Sequence, residues 1–462
     1  MTDDVKAIKT ALAYASKWLA FQHQYNPYVG AQVAVRVDGE LLMNEAFGMA
    51  DIENDIALTT DHLFRIASHS KTFTGIAIMQ LVEAGKLRLD DTVGQHIPEL
   101  AGSGIADVTV RQLASHMGGV IRDGDNADWW ELGKPFPNRK ELLTLARKHG
   151  KVLESNVEFK YSNIGFSLLG VIIEHASGMP YRDYVTANIV DKLGLKDTGP
   201  DLNMDRIDDY AVGYSSRVHG PKRIPIDHID TFEESSATGF YATASDLTGY
   251  FQAHISGDTR LITDASKRTM QQKIGESTEI SWYGIGLVIE KLGDRTYIGH
   301  SGGYPGHITM SKTDVGRKLS VSVLTNTNDG PAAVLCAGIL ALIELAVSPK
   351  APVSQPGKPR DLKKFEGRFA TLWGLTDIVN LGGRLYALAP TLDDPAGMAV
   401  ELEVTGENTL KRVGGPKGGS RGEEIVYHFD AKGKVSKIEG GHTMLPVDQF
   451  TLPERVTRPT RK

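Results

Sequence analysis

Ser68 and Lys71 stand three residues apart in Ser68-His69-Ser70-Lys71, a pairing that can run nucleophilic catalysis. A serine hydroxyl is a poor nucleophile near neutral pH and needs a base to take its proton. On a helix, residues at i and i+3 share a face, so the lysine amine comes within reach of the hydroxyl. Lys71 serves as that base only if burial or a neighbouring cation brings its pKa far below the usual value of about 10.4. The strand-like Leu63-Phe64-Arg65-Ile66 leads into a helical run from about Ser68 to Glu83 that stops at Gly85, which puts Ser68 at a helix N-terminus. Unpaired N–H groups and the helix dipole there favour an alkoxide or an oxyanion. Alone, the four residues also fit an N-cap serine followed by a surface lysine.

Two further patterns carry chemistry. Of the fifteen tyrosines only Tyr161 has asparagine two residues later, in Tyr161-Ser162-Asn163 at the head of another helical run. A phenol beside a cationic lysine is expected to have a lowered pKa and to relay protons to a leaving group. Asn163 offers a donor and an acceptor to a lysine or a substrate amide. The third pattern is His300-Ser301-Gly302-Gly303, expected at the end of one strand and near the start of the next. Glycines at a sheet edge let a substrate approach, and the Gly303 N–H could serve as an oxyanion donor. Taken singly, the tyrosine motif is also a turn, and the glycine motif a strand-to-strand turn. Gly299 to Gly303 matches the Gly-x-Ser-x-Gly nucleophile elbow as well, but an elbow leads into a helix. Here Tyr304-Pro305-Gly306 and a strand-like run follow, so Ser301 is not expected to be the nucleophile.

The elements that must hold these residues are legible in outline. An amphipathic helix covers residues 4–22, and Gln32–Val37 with Leu41–Phe47 flank Asp38-Gly39 as a β-hairpin. Helical patterns fall near 139–149, 164–177 and 179–192. Strand patterns return at Tyr283–Glu290, Thr296–Gly299, Ile308–Ser311 and Leu319–Leu324, before an apolar helix from Pro331 to Val347. Strands at both ends with helices between predict an α+β fold, an antiparallel sheet flanked by helices and carrying a helical subdomain. Residues 348–361 hold four prolines and read as a stiff linker. Beyond it, six short strand-like runs between Phe365 and Ile438, with turns such as Gly382-Gly383 and Lys432-Gly433, predict a small all-β barrel. The expected domains are therefore 1–347 and 362–462, either side of that linker.

Composition narrows the function. The 462 residues fit two domains, and 41% hydrophobic with 23% charged content is that of an ordinary globular protein. A net charge of −6 leaves no basic footprint for nucleic acid or for a membrane surface. No apolar stretch approaches twenty residues, and the acidic Met-Thr-Asp-Asp start differs from a signal peptide, so the cytoplasm is the expected compartment. The single Cys336 sits in an apolar run and is expected to be a buried thiol, with no disulfide. No metal-ligand run is present, and neither a metal nor a cofactor is called for. His69, His116 and His307 could lie near a pocket, and Trp129-Trp130 with Tyr304 could wall it.

The order Ser-x-x-Lys, Tyr-x-Asn, then His-x-Gly resembles the serine β-lactamase and penicillin-binding-protein superfamily, in its class C-like branch of esterases, D-aminopeptidases and related peptidases. Phe64 to Lys71, Leu87 to Ile97, Val110 to His116, Ala237 to Asp246 and Gly299 to Gly306 resemble the same group, and the likeness covers about residues 20–347. The barrel resembles the lipocalin-like C-terminal domain of some of its peptidases. The resemblance implies Ser68 as nucleophile, Lys71 as partner base and Tyr161 as general base or acid. It implies Asn163 as the group orienting Lys71 and substrate, and His300 on the binding edge with Gly302 and Gly303. The oxyanion hole would be the N–H groups of Ser68 and Gly303, with an acyl-serine intermediate. Typical β-lactamases and DD-peptidases of this group carry lysine where His300 stands. A mostly neutral histidine there weakens the case for a carboxylate-bearing β-lactam or cell-wall substrate. The expected activity is hydrolysis of a small ester, amide or short peptide. β-Lactamase or DD-peptidase-like activity, acyl transfer and a non-catalytic sensor are the alternatives, and the barrel could mediate homo-oligomers.

Overall fold

A computed structural model of the chain describes residues 3–348, 361–415 and 420–452. The expected linker, 348–361, lies almost wholly outside the described residues. The helices of the described residues include α1 (Asp3–Tyr25), α2 (Ser70–Glu83), α3 (Asn163–Ser177), α4 (Ala244–Gln252) and α5 (Ala332–Val347), with a further one at Arg139–His149. Two compact units result, Tyr28–Cys336 and a second assembled from Met1–Pro27 with Ala337–Lys462.

The first unit is built on a nine-stranded antiparallel sheet. Its strands are β1 (Gly30–Val37), β2 (Glu40–Asp51), β3 (Ile56–Ala57), β4 (Gly275–Thr278), β5 (Ser281–Tyr283), β6 (Val288–Leu292), β7 (Arg295–Tyr304), β8 (His307–Asp314) and β9 (Leu319–Thr325). They lie in the order β3-β2-β1-β9-β8-β7-β6-β5-β4, so the N-terminal hairpin closes onto the C-terminal meander where Ala31 faces Thr325. The Asp38-Gly39 turn has positive φ at both residues (46° and 84°), the geometry that matches strand twist in a two-residue hairpin. Between these strand groups the chain forms the helical region. Helix α2 is buried from Ser70 through Met79 and again at Leu81, and its composition is apolar around the whole circumference. Such a helix belongs inside a core. Any charged residue on it must lose its water.

The sheet departs from expectation at two places that matter for the site. Tyr283–Glu290 is not one strand: β5 ends at Tyr283 and β6 starts at Val288. In the break the Ile285 N–H donates to Met270 O and the Gly286 N–H to Ala114 O, both at 2.9 Å. Gly286 has φ +76°, and a Cβ on it would sit 2.5 Å from the Lys71 carbonyl oxygen. The glycine thus lets the strand break press directly on the first turn of α2. The other departure is β7, which runs on through His300–Gly303 to Tyr304 and pairs with β8 from Tyr297 to Tyr304.

The second unit is a closed barrel of eight consecutive antiparallel strands. These are β10 (Gly367–Thr371), β11 (Gly374–Leu381), β12 (Arg384–Leu388), β13 (Val400–Val404), β14 (Thr409–Arg412), β15 (Glu424–Phe429), β16 (Val435–Gly440) and β17 (His442–Pro446). Pairing of Phe369 with Pro446 closes the ring, which removes exposed strand edges. Its inward side chains, among them Phe369, Leu385, Leu410, Tyr427 and Ile438, fill the interior. Helix α1 belongs to this unit. Its Tyr14 hydroxyl donates to Asp377 Oδ2 at 2.8 Å and its Gln22 Nε2 to Pro390 O at 2.7 Å. Its Trp18, fully buried, packs on Gly338 of α5, where an added Cβ would lie 2.3 Å from the indole. Cys336 is a buried free thiol whose pKa burial pushes up to about 12. Among the described residues no helix is long and apolar enough to cross a membrane.

Candidate active site

Ser68 sits in a single helical turn, Ala67–His69, that runs straight into α2. Ala67 takes φ +48°, a left-handed conformation that costs a non-glycine residue roughly 1–3 kcal/mol and that clusters at functional sites. This turn is fixed from behind by His69, whose Nδ1 lies 3.0 Å from Ile66 O and whose Nε2 lies 2.9 Å from Ser311 Oγ. A carbonyl can only accept, so Nδ1 carries the proton and Nε2 accepts from the serine. Burial lowers the His69 pKa to about 4, which keeps the ring neutral.

Lys71, with no exposed surface, points back at Ser68. Its Nζ lies 2.7 Å from Asn163 Oδ1, 2.8 Å from Ala237 O and 3.2 Å from Ser68 Oγ. The Asn163 amide cannot turn over, because its Nδ2 donates to Asp123 Oδ1 at 2.6 Å. Both short contacts are therefore acceptors. A neutral amine gives them its two protons and is left with its lone pair toward the Ser68 hydroxyl. Burial does supply that neutral form, pushing the Lys71 pKa down to about 7. Glu234 and Asp123 oppose the shift, and Arg122 adds to it.

Tyr161 lies over the same amine, its ring centroid 4.9 Å from Lys71 Nζ, and the His116 ring is 4.2 Å from it on a tilted face. Its pKa moves opposite to expectation. Burial raises it well above the ordinary phenol value, against a lowering by a hydrogen bond with the Ser68 hydroxyl and by Arg122. The reason is that the phenol is itself stripped of water, which disfavours the phenolate. At neutral pH Tyr161 is a proton donor.

The β7 motif forms the facing wall. The two-residue turn that pairs Tyr304 with His307 makes 303–308 a non-hydrogen-bonded pair, so the Gly303 N–H points away from β8. On that side the pairing with β6 ends at Val288–Gly299, and the edge beyond it is open. Gly302 alternates to the other face. Expected at the substrate edge, it is instead buried, and an added Cβ would meet Ile66 O at 2.2 Å and Thr309 Oγ1 at 2.3 Å. Its work is to let β7 touch the backbone that carries Ser68. His300 is also buried, with 4% exposure, yet its edge lines the cleft. Its Nδ1 donates to Ser301 O at 2.6 Å and its Nε2 accepts from the Tyr283 hydroxyl at 2.8 Å. Burial, then Lys71 and His69, hold it far below its ordinary pKa. Ser301 is exposed on a strand that continues into a strand, so no nucleophile elbow forms.

Ser68, Tyr161, Asn163, His300 and Gly303 thus share one cleft of about 450 Å³, with Lys71 beneath them. Sequence reasoning suggested Trp130 for the wall but did not single out Arg122, Asp123 or Tyr283. Asp123 and Arg122 form a pair at 2.9 Å on the rim, and Trp130 donates its indole N–H to Asp123 Oδ1 at 3.1 Å. Tyr283 closes the far side. Of the suggested aromatic wall, Trp130 alone lines the cleft: Trp129 packs toward Phe136, and Tyr304 lies under the Arg65 guanidinium, 4.4 Å from its ring centroid. His116 is buried beneath Tyr161 with its Nδ1 accepting the Ser162 N–H at 3.1 Å, and His307 is buried against Phe64. Nothing in the sequence marked Arg122, Asp123 or Tyr283 as cleft residues.

The arrangement offers a hydroxyl, a neutral buried amine, a protonated phenol and an open backbone N–H around one space, the set that acyl transfer to serine requires. A family model described as Beta-lactamase matches residues 21–344. The chain is 30% identical over 373 residues to penicillin-binding protein 4* of Bacillus subtilis (strain 168), covering 75% of this chain and 77% of that protein. Among solved structures it is similar to the octameric penicillin-binding protein homologue from Pyrococcus abyssi, with TM-score 0.65 and 24% identity over 94% of this chain and 99% of that one, a likeness of fold. It is also similar to the D-amino acid amidase from Ochrobactrum anthropi SV3 complexed with D-phenylalanine, with TM-score 0.59 and 25% identity over 74% and 97% of the two chains.

Proposed function

The chain belongs to the beta-lactamase family, and from that membership we propose that it is a serine amidase or peptidase acting through an acyl-serine at Ser68. The observation that carries this reading is the fully buried Lys71 amine, held by Asn163 Oδ1 and Ala237 O and lying 3.2 Å from Ser68 Oγ. Lys71 takes the hydroxyl proton as Ser68 Oγ attacks the substrate carbonyl carbon. The N–H groups of Ser68 and Gly303 receive the developing oxyanion. Tyr161 gives its proton to the departing nitrogen or oxygen and regains one from Lys71, so the Ser68 proton leaves with the departing group while Lys71 and Tyr161 return to their starting states. Water then repeats the sequence on the acyl-serine. Asn163 holds Lys71 in register throughout.

Substrate choice follows from charge. A neutral, hydrogen-bonded His300 offers no fixed cation to a carboxylate beside the scissile bond, which disfavours penicillins and free C-terminal peptides. Asp123 puts a carboxylate on the cleft and suits an α-ammonium. Short amides of amino acids fit both features, and the likeness to a D-amino acid amidase favours the D-series. Self-association through the barrel is an accompanying proposal, supported by Leu372 and Trp373 standing exposed, at 55% and 94%, on the β10–β11 turn. The test is labelling with a fluorophosphonate followed by mass spectrometry, then a panel of D- and L-amino-acid anilides, p-nitrophenyl esters and nitrocefin. Label on a residue other than Ser68, or none, overturns the mechanism; faster turnover of nitrocefin than of the anilides overturns the substrate class.

A further inference from the structure

Arg65 has no exposed surface, and among the described residues its Nε has no hydrogen-bond partner. A buried guanidinium is costly to fold around, and apolar packing often replaces one without loss, so its position asks for a reason. Its other two nitrogens are engaged: Nη2 donates to Asp201 Oδ1 and Nη1 to Ile229 O, both at 2.9 Å. The guanidinium lies over the Tyr304 ring, its carbon 4.4 Å from the centroid. The Tyr304 hydroxyl completes the set, accepting from the Ile229 N–H at 2.9 Å and donating to Ile229 O at 3.1 Å. Arg65 and Tyr304 therefore stack on each other and donate to one shared carbonyl.

These two residues flank the oxyanion donors along the chain. Arg65 stands three residues before Ser68, and Tyr304 directly follows Gly303. They belong to different elements: Phe64–Arg65 pairs with Tyr241–Ala242, whereas Tyr304 ends β7. Beyond Gly299, β7 keeps its pairing with β8 but has none with β6. That open side lets the Gly303 N–H face a substrate, and it leaves the end of the strand braced by one neighbour only. We propose that Arg65 is a positioning residue that sets the spacing of the two oxyanion donors, by clamping Tyr304, and with it Gly303, to the strand that delivers Ser68. This rests on the reading of Ser68 as nucleophile and of the Ser68 and Gly303 N–H groups as the oxyanion hole. A planar cation suits the task, since it stacks on a ring and donates hydrogen bonds within its own plane at the same time. Its anchor is itself fixed: Asp201 Oδ1 also accepts the Leu202 N–H at 2.7 Å, and Oδ2 accepts from Arg182 at 2.9 Å. Gly302 permits the close approach of strand and turn; Arg65 holds it.

The experiment is inactivation of the full chain by a fluorophosphonate, resolved into the reversible affinity KI and the limiting rate kinact, in wild type, Arg65→Lys, Tyr304→Leu and the double variant. R65K keeps a cation for Asp201 and loses the stack; Y304L loses the ring and leaves Arg65 with Asp201. Each single variant is expected to lower kinact by about 10–100-fold, the scale of a misplacement of up to about 1 Å, with KI little changed. The double variant falls no further than the worse single one, because both remove the same contact. The phosphonyl oxygen of the adduct occupies the oxyanion hole, so the phosphorus NMR resonance reports the geometry of the two N–H groups. In the folded variants it is expected to move toward the resonance of the urea-unfolded adduct. Tyr304→Phe keeps a ring under the guanidinium and is expected to recover most of the rate that Y304L loses; a failure to recover overturns the inference. A wild-type kinact and phosphorus resonance in the variants, or losses that multiply in the double variant, also overturn it and leave Ser68 standing as nucleophile. Wild type without label on Ser68 overturns the mechanism, and this inference with it. Should one single variant not fold, the other carries the test through kinact and the phosphorus resonance.

Discussion

Substituting Gly302 by alanine is the sharpest test of how β7 and the serine turn depend on each other. The added methyl carbon would stand 2.2 Å from Ile66 O and 2.3 Å from Thr309 Oγ1, where ordinary contact begins near 3.4 Å. Neither neighbour can swing aside. Ile66 O is main chain and also bonds the His69 ring. Thr309 sits in the central pairing of β7 with β8. Strand and turn must therefore separate by about 1 Å, and overpacking of this kind costs about 1–3 kcal/mol. A 1 Å misplacement of reacting groups typically costs about 100-fold in rate. The expected result is a lower melting temperature and a fluorophosphonate labelling rate at Ser68 down by about two orders of magnitude. Gly303→Ala is the control. Its methyl would meet only Ile308 Cδ1, at 3.8 Å, and its N–H survives, so stability stays near wild type and labelling within a few-fold. A G302A chain that melts and labels like wild type would refute the close-approach argument.

Other expectations follow from the same site. Lys71→Met abolishes labelling, yet it raises stability at pH 7 by on the order of a few kcal/mol. The sign comes from the folded pKa of about 7 against 10.5 in the unfolded chain: the unfolded state binds more protons between those values. Stability of wild type therefore climbs with pH across that window, and the gap to K71M should close in denaturant melts taken toward pH 10. Tyr161→Phe should slow anilide hydrolysis by about 10²–10⁴ and a p-nitrophenyl ester far less, because only the amide needs its leaving group protonated; equal losses on both would speak against the donor role. His300→Lys places a charge where the native ring is neutral, and nitrocefin acylation should rise relative to that of the anilides in competition assays.

The three motifs were legible because each pairs residues that are close in sequence, and their meeting in one cleft followed from their order. The hairpin at Asp38-Gly39, the helix at 139–149 and the barrel turns were legible for the same local reason. What sequence concealed is set by distant neighbours. Tyr283 to Val288 alternates apolar residues with glycine like a strand, but the pressure of Gly286 on α2 breaks it. Gly302 looked like an edge residue because strand parity cannot be known before the length of β7 is. The Tyr161 phenol was expected to titrate low beside a cation, and burial of the phenol itself reversed the sign. Glu234 lies in a polar stretch with no periodicity, and only the folded core reveals that it is dry. In the barrel, β14 and β17 escaped notice: Thr-Leu-Lys-Arg is mostly polar, and His-Thr-Met-Leu-Pro ends on a residue that discourages strand assignment.

Helix α1 gives the order of synthesis a part in folding. It is made long before its partners, since those that cover Tyr14, Trp18 and Gln22 are Asp377, Gly338 and Pro390, more than three hundred residues later. At about 5–20 residues per second the helix waits tens of seconds with its apolar face uncovered. The Tyr28–Cys336 unit, by contrast, has its whole sheet before α5 is complete. Translation therefore delivers the Tyr28–Cys336 unit before the barrel unit, whose two segments flank it in the sequence, can close. Truncation before Phe365 would remove the barrel and leave Tyr14 and Gln22 without Asp377 and Pro390, so a shortened chain should be trimmed at both ends.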